Sequence, residues 1–208
     1  MLKKVTNSLF ENKKILLCDK GATSALAPKT KTEDSYVVCL NTSALMFDKV
    51  DFLFINDYET IEKLIKADFD FSKLSNLIIP LQLHEKSSIS ARTYLDVFEL
   101  LKESNTDIYT YKLHTQTMNF SHDERVDHSP LSSGHSQIWS TYHSALLWLT
   151  ALGLREYDIY GVSKDGVYDS FFEKNNDVGE ARNLNWYEIN YNVGIYILER
   201  NNCSYNIF

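Results

Sequence analysis

Short apolar runs alternate with stretches of helical spacing along this chain. Residues 13–19 (KKILLCD), 35–41 (SYVVCLN), 50–57 (VDFLFIND), 74–82 (LSNLIIPLQ), 107–113 (DIYTYKL), 157–162 (YDIYGV) and the final SYNIF are short and rich in β-branched or aromatic residues, the pattern of strands. Between them, 58–67 (YETIEKLIKA) places Ile61, Leu64 and Ile65 on one helical face. Residues 90–104 (SARTYLDVFELLKES) read as an amphipathic helix with Ser90 as its cap. A third helix opens on the hydroxyl pair Ser140 and Thr141, runs through ALLWLTAL and stops at Gly153. A fourth, 185–201, is tyrosine-rich, with Tyr187, Tyr191 and Ile195 expected to face the core. The segment KGATSALAP, 20–28, is a glycine turn suited to opening a helix.

Buried strands alternating with helices imply a parallel sheet covered on both faces. The expected fold is α/β: a Rossmann-like parallel sheet with helices on both faces, in a single domain over residues 1–208. Two polar stretches, 114–139 and 163–183, have no clear period and are predicted to be mobile or functional loops. The first carries four of the six histidines. In such sheets ligands bind beyond the carboxyl ends of the strands, where the strand order reverses. Here successive runs end on Asp19, Asn41 and Asn56, and a later one on Gly161, which draws a site toward that rim.

Composition narrows the function classes. The chain has 208 residues, 44% of them hydrophobic, and a net charge of −7. No lysine- or arginine-rich patch is interleaved with aromatics, which argues against a nucleic-acid partner. The N-terminus lacks a signal-peptide apolar core, and the longest apolar run is too short to span a bilayer. A cytoplasmic location with at most peripheral membrane association is expected. Cys18, Cys39 and Cys203 show no metal or redox spacing, and the first two lie in strand-like runs as buried thiols.

The order of these motifs carries a resemblance. A strand runs into Gly21-Ala22-Thr23, the next two end in Asn41 and Asn56, and Ser140-Thr141 opens a helix ending ALG before a strand that ends in Gly161-Val162-Ser163. This resembles the small bacterial sialyltransferases, single-domain Rossmann-like enzymes that use CMP-sialic acid and need no metal. The resemblance implies a nucleotide-activated donor held by Lys20, Gly21, Thr23, Asn41, Asn56, Ser140, Thr141 and Gly161, with Tyr168 on the donor phosphate. It implies a glycan acceptor and a role in assembling surface polysaccharide or lipooligosaccharide. The chain departs from the family at Lys20, at Tyr142, which would crowd an approaching base, and at Ser163. It also has no histidine after His143, where the family carries its general base.

The chemistry suits such a site. A glycine lets backbone approach a ligand closely, asparagine offers both donor and acceptor, and a helix N-terminus presents free N–H groups and a positive dipole end. Ser140 and Thr141 also serve as an ordinary helix cap, a role compatible with ligand binding. Glycosyl transfer with inversion needs a base for the acceptor hydroxyl. His135 is the first candidate and His128 the next, with Asp165 and Asp169 able to serve if burial raises their pKa. His143 is expected to pack or hydrogen-bond inside the helix, while Lys20 or Lys164 would add positive charge by the phosphate. The spacing of carboxylates and histidines contains no metal-binding motif, so no metal or other cofactor is expected. Two other readings stay open: a related phospho- or phosphoribosyl-transferase acting on a diphosphate substrate, and a non-catalytic binding module of the same fold. Homo-oligomer formation is also open.

Overall fold

The structure, a computed structural model, describes residues 13–30, 32–80, 82–83, 92–102, 104–114, 135–137, 140–174 and 184–208. Its strands are β1 (Lys14–Cys18), β2 (Ser35–Leu40), β3 (Val50–Phe54), β4 (Leu74–Pro80), β5 (Gln82–Leu83), β6 (Arg92–Thr93), β7 (Asp107–His114), β8 (His135–Gln137), β9 (Glu156–Tyr160) and β10 (Ser204–Ile207). The helices are α1 (Tyr58–Lys66), α2 (Tyr94–Leu101), α3 (Thr141–Ala151), α4 (Ser170–Lys174) and α5 (Leu184–Arg200). Short 3-10 helices, Ala22–Leu26 and Asn41–Met46, follow β1 and β2.

Eight strands form one sheet in the order β10-β9-β1-β2-β3-β4-β7-β8, and every pairing in it is parallel. The fold is α/β and Rossmann-like, as the alternation predicts. The chain leaves β1 toward β2, β3 and β4, then returns to β9 on the other side of β1. The order therefore reverses between β1 and β9. Right-handed crossovers place segments on opposite faces when the direction of travel reverses, and the two cores follow that rule. One face joins Leu16, Cys18, Val37, Cys39, Leu53 and Leu77 to the 3-10 segments, α1 and α2. The other joins Ile15, Leu17, Val38, Leu40, Phe52 and Phe54 to α3 and α5. Alternate strand residues supply alternate faces, as the pleat requires. Cys18 and Cys39 are buried free thiols, and burial raises the pKa of both, Cys18 to about 12.

Helix α3 is buried from Thr141 to Thr150 on every side. An all-round apolar helix of this kind belongs between two layers, and α3 lies between the sheet and α5. Because α3 precedes a parallel strand, it runs against the strand direction. Its N-terminus therefore sits over the carboxyl ends of β2 and β3.

Several expectations need correction. Ile61 and Leu64 are buried on α1, but Ile65 is 42% exposed. On α5 the face toward the core carries Asn190, Val193, Ile197 and Leu198; Tyr191 is partly buried and packs against the same core as expected, while Tyr187 and Ile195 are only half-buried. The reason is that α3 packs on a stripe narrow enough to admit Gly194. The helix expected over 90–104 begins only at Tyr94, because Arg92 and Thr93 pair antiparallel with Leu83 and Gln82; the Ser90 cap lies outside the described residues. The stretch 114–139 includes β8, and 163–183 includes α4; residues 115–134 and 175–183 lie outside the description, and His128 with them. Among the described residues no helix is long and apolar enough to cross a membrane.

Candidate functional site

The carboxyl ends of β9, β1, β2 and β3 lie side by side, with Cys18 registered on both Tyr160 and Cys39, and Leu40 on Phe54. Lys20, Gly21, Asn41, Asn56 and Gly161 each lie one to three residues beyond these positions.

At the reversal point, the backbones of β1 and β9 stay in contact past the end of the sheet. Asp19 N–H donates to the Tyr160 carbonyl at 2.9 Å, and Gly21 N–H to the Gly161 carbonyl at 2.8 Å. Thr23 Oγ1 accepts from Gly161 N–H at 2.8 Å. A Cβ on Gly21 would stand 2.4 Å from the Gly161 carbonyl oxygen, and one on Gly161, at φ +72°, would stand 2.3 Å from that of Asp19. The glycines therefore serve backbone-to-backbone contact, where the sequence reading has Gly21 admitting a ligand. Thr23 and Gly161 are likewise consumed in holding the turn.

The segment after Gly161 folds back over this turn. Ala22 N–H donates to Val167, Asp169 N–H donates to Lys20, and Tyr168 forms an antiparallel bridge with Gly21. Residues 163–169, predicted as part of a mobile loop, are thus anchored. Lys20 Nζ lies 5.6 Å from the Tyr168 ring centroid, and Lys164 Nζ 4.7 Å from that of Tyr191, both within the range of cation–π attraction. Lys20 and Tyr168 lie together beside the turn that joins β1 and β9.

Asn41 sits in the left-handed region, φ 54°, which turns the chain sharply away from β2. Its Oδ1 accepts from Thr141 Oγ1 at 3.3 Å. No described group takes its Nδ2 hydrogens. Ser140 caps α3, accepting His143 N–H at 3.3 Å, so the cap expected from sequence is present. The amides of Thr141 and Tyr142 have no carbonyl partner within the helix and point with the positive end of the dipole toward the rim.

Asn56 is employed differently. Its Oδ1 accepts from the Tyr111 hydroxyl, and its Nδ2 donates to Ser144 Oγ at 3.4 Å. Ser144 in turn donates to the Ser140 carbonyl at 3.2 Å. Asn56 therefore ties β3 and β7 to the first turn of α3. Ser144 and Tyr111 were not among the predicted residues; the one signal for Ser144 was its place one turn after Ser140. Ser43 was missed as well: its hydroxyl accepts from Leu40 N–H at 3.0 Å and donates to the Cys18 carbonyl at 2.7 Å, joining the ends of β1 and β2.

Three expectations about individual side chains change. Tyr142 does not crowd the rim: it is buried against α5, and a Cβ on Gly194 would fall 2.2 Å from its ring. Asp165 is exposed, and its carboxyl is held below the ordinary value by hydrogen bonds from Val167 N–H, at 3.1 Å, and Ser163. These hydrogen bonds outweigh the raising effect of its slight burial, so it is a poor general base. Asp169 is buried, and its Oδ1 accepts from Phe171 N–H at 2.9 Å, a turn-capping role. His135 lies on β8, three strands beyond β3, about 14 Å across a sheet of ordinary strand spacing. It shares the rim but is not beside Lys20 and Tyr168. His143 is buried and hydrogen-bonded, as expected. Among the described residues no three His, Cys, Asp or Glu side chains converge as metal ligands.

What this leaves at the rim is Asn41 Nδ2, the first-turn amides of α3 and the Ser140 hydroxyl, with Lys20 and Tyr168 alongside. Such a set suits an anion with a polar appendage. No family model, curated protein or solved structure matches this chain.

Proposed function

We propose that this rim binds the phosphate-bearing part of a nucleotide-activated sugar of CMP type, and that the protein is a metal-independent glycosyltransferase acting on a glycan acceptor in surface-polysaccharide assembly. The observation that carries the reading is the meeting of Asn41 with Thr141 at 3.3 Å. It joins a strand end to a helix N-terminus next to the point where strand order reverses, on an otherwise acidic chain. In this reading the α3 amides, Lys20 and the Tyr168 hydroxyl receive the charge that develops on the departing phosphate. Asn41 Nδ2 and Ser140 take polar edges of the nucleotide. Asn56 holds α3 in place and does not touch the donor. His135 lies on β8, five strands from β1 in the sheet order, so this reading assigns it no part at the phosphate.

Calorimetric titration with CMP, CDP, UDP and phosphoribosyl pyrophosphate tests the reading. CMP-selective binding that falls on the order of tenfold in Thr141→Ala, which removes the hydroxyl that orients Asn41, supports it. Preference for phosphoribosyl pyrophosphate shifts the assignment to transfer from a diphosphate. No binding of any of the four overturns the donor site.

A further inference from the structure

The first turn of α3 is fixed by more than its cap. His143 is 1% exposed, and its Nε2 lies 2.8 Å from the backbone carbonyl of Asn190 in the middle of α5. A carbonyl only accepts, so Nε2 carries the proton and Nδ1 is left as a lone pair. Nδ1 is buried and has no partner among the described residues. The Asn190 carbonyl already receives the N–H of residue 194 along α5, and the imidazole takes its second lone pair. One residue before, the Tyr142 ring fills the space beside Gly194 where a Cβ would stand, one turn on from Asn190. These two consecutive residues of α3 therefore grip one turn of α5. The backbone amide of His143 is also the one that Ser140 Oγ caps, so the imidazole and the site hydroxyl hang from the same residue.

We infer that His143 is a positioning residue for the rim: as the neutral Nε2–H tautomer it locks the first turn of α3 to α5 and thereby sets the aim of Ser140 and Thr141. The inference rests on the donor-site reading for its effect on ligand, though not for the lock itself. The surroundings keep the ring neutral. Titratable groups near this contact are Tyr142 on α3, Tyr191 on α5, Asp19 after β1 and Tyr205 on β10. Glu188 on α5 is exposed, β2 and β3 face α3 with apolar side chains, and β8 carries His135. None of them contributes to the titration of His143, which burial lowers and the Asn190 carbonyl raises.

The test compares His143→Gln, whose amide nitrogen reproduces the Nε2 donor, with His143→Leu, which fills the space without a donor. Nitrogen-15 spectra of the histidine rings should show His143 as a single Nε2–H tautomer that stays neutral from pH 8 to pH 6. Amide hydrogen exchange of residues 141–144 should rise on the order of tenfold in His143→Leu, as for one lost hydrogen bond, and stay near wild type in His143→Gln. CMP affinity should follow the same order. A ring protonated at Nδ1, or faster exchange spread evenly over the molecule in His143→Leu, overturns the positioning role. If CMP binds none of the three proteins, the donor reading falls while the tautomer and the exchange pattern still decide the lock.

Discussion

Asn41 meets two demands at once. Its backbone adopts φ 54°, which glycine and asparagine tolerate better than other residues, and its side chain accepts from Thr141. Substitution separates the two. Asn41→Gly should keep thermal stability within about 1 kcal/mol of wild type, because the turn remains relaxed, yet lose CMP affinity on the order of tenfold. Asn41→Ala should lose affinity and also about 1–2 kcal/mol of stability, measured by urea unfolding. Equal affinity in Asn41→Gly and wild type would confine Asn41 to a backbone role. Gly161 lacks this latitude. Its positive φ and the Asp19 carbonyl 2.3 Å from a would-be Cβ oppose any side chain, so Gly161→Ala should cost about 3 kcal/mol or more by the same measurement. The sequence marked Asn41 and Asn56 alike as strand-end polar residues. Which one has its side chain fully occupied was not legible, because the partners that occupy Asn56 lie 55 and 88 residues away along the chain.

Among the elements, α3 decides the site, and α5 decides α3. Alanine in place of an exposed mid-helix glycine ordinarily gains about 1 kcal/mol. At Gly194 the sign should reverse, since the added Cβ would fall 2.2 Å from the buried Tyr142 ring. Gly194→Ala should lose roughly 1–3 kcal/mol by overpacking. In the Tyr142→Leu background the same change should cost much less, and a double-mutant cycle on unfolding free energies reads that coupling. Additive effects would mean that the helices slide apart without cost. The presence of α3 was plain from its apolar run and hydroxyl opening. Its burial on every side was consistent with that run, but the partner surface was not. The periodicity of α5 offered tyrosines as the inner face, and the inner stripe instead follows Gly194, whose lack of a side chain leaves room for Tyr142. For α1, the predicted face held at Ile61 and Leu64 and ended before Ile65, which is exposed.

For the whole molecule, acid should act through His143. Its pKa falls from 6.5 to about 4 on folding, chiefly through burial. Below the unfolded value the unfolded chain binds a proton that the folded one refuses, so this residue's contribution to stability is intact above pH 6.5 and is lost as pH falls toward 4. The loss amounts to about 3 kcal/mol at the acid end. Urea unfolding at pH 7, 5 and 4 should show it, and His143→Gln should flatten the profile; an equally steep profile in that variant would assign the acid sensitivity elsewhere. The sequence alone determined the α/β class, seven of the ten strands, the two-sided burial and the gathering of polar residues at strand ends, since these depend on local periodicity and on the general rules of parallel sheets. Only the tertiary structure decided that β9 returns beside β1, that Gly21 and Gly161 touch each other, that Asn56 is spent on Tyr111 and Ser144, and that His143 holds α3 to α5. Each of those is a contact between residues remote in the chain, fixed by close packing and by hydrogen-bond satisfaction, which leave no trace in the spacing of neighbours.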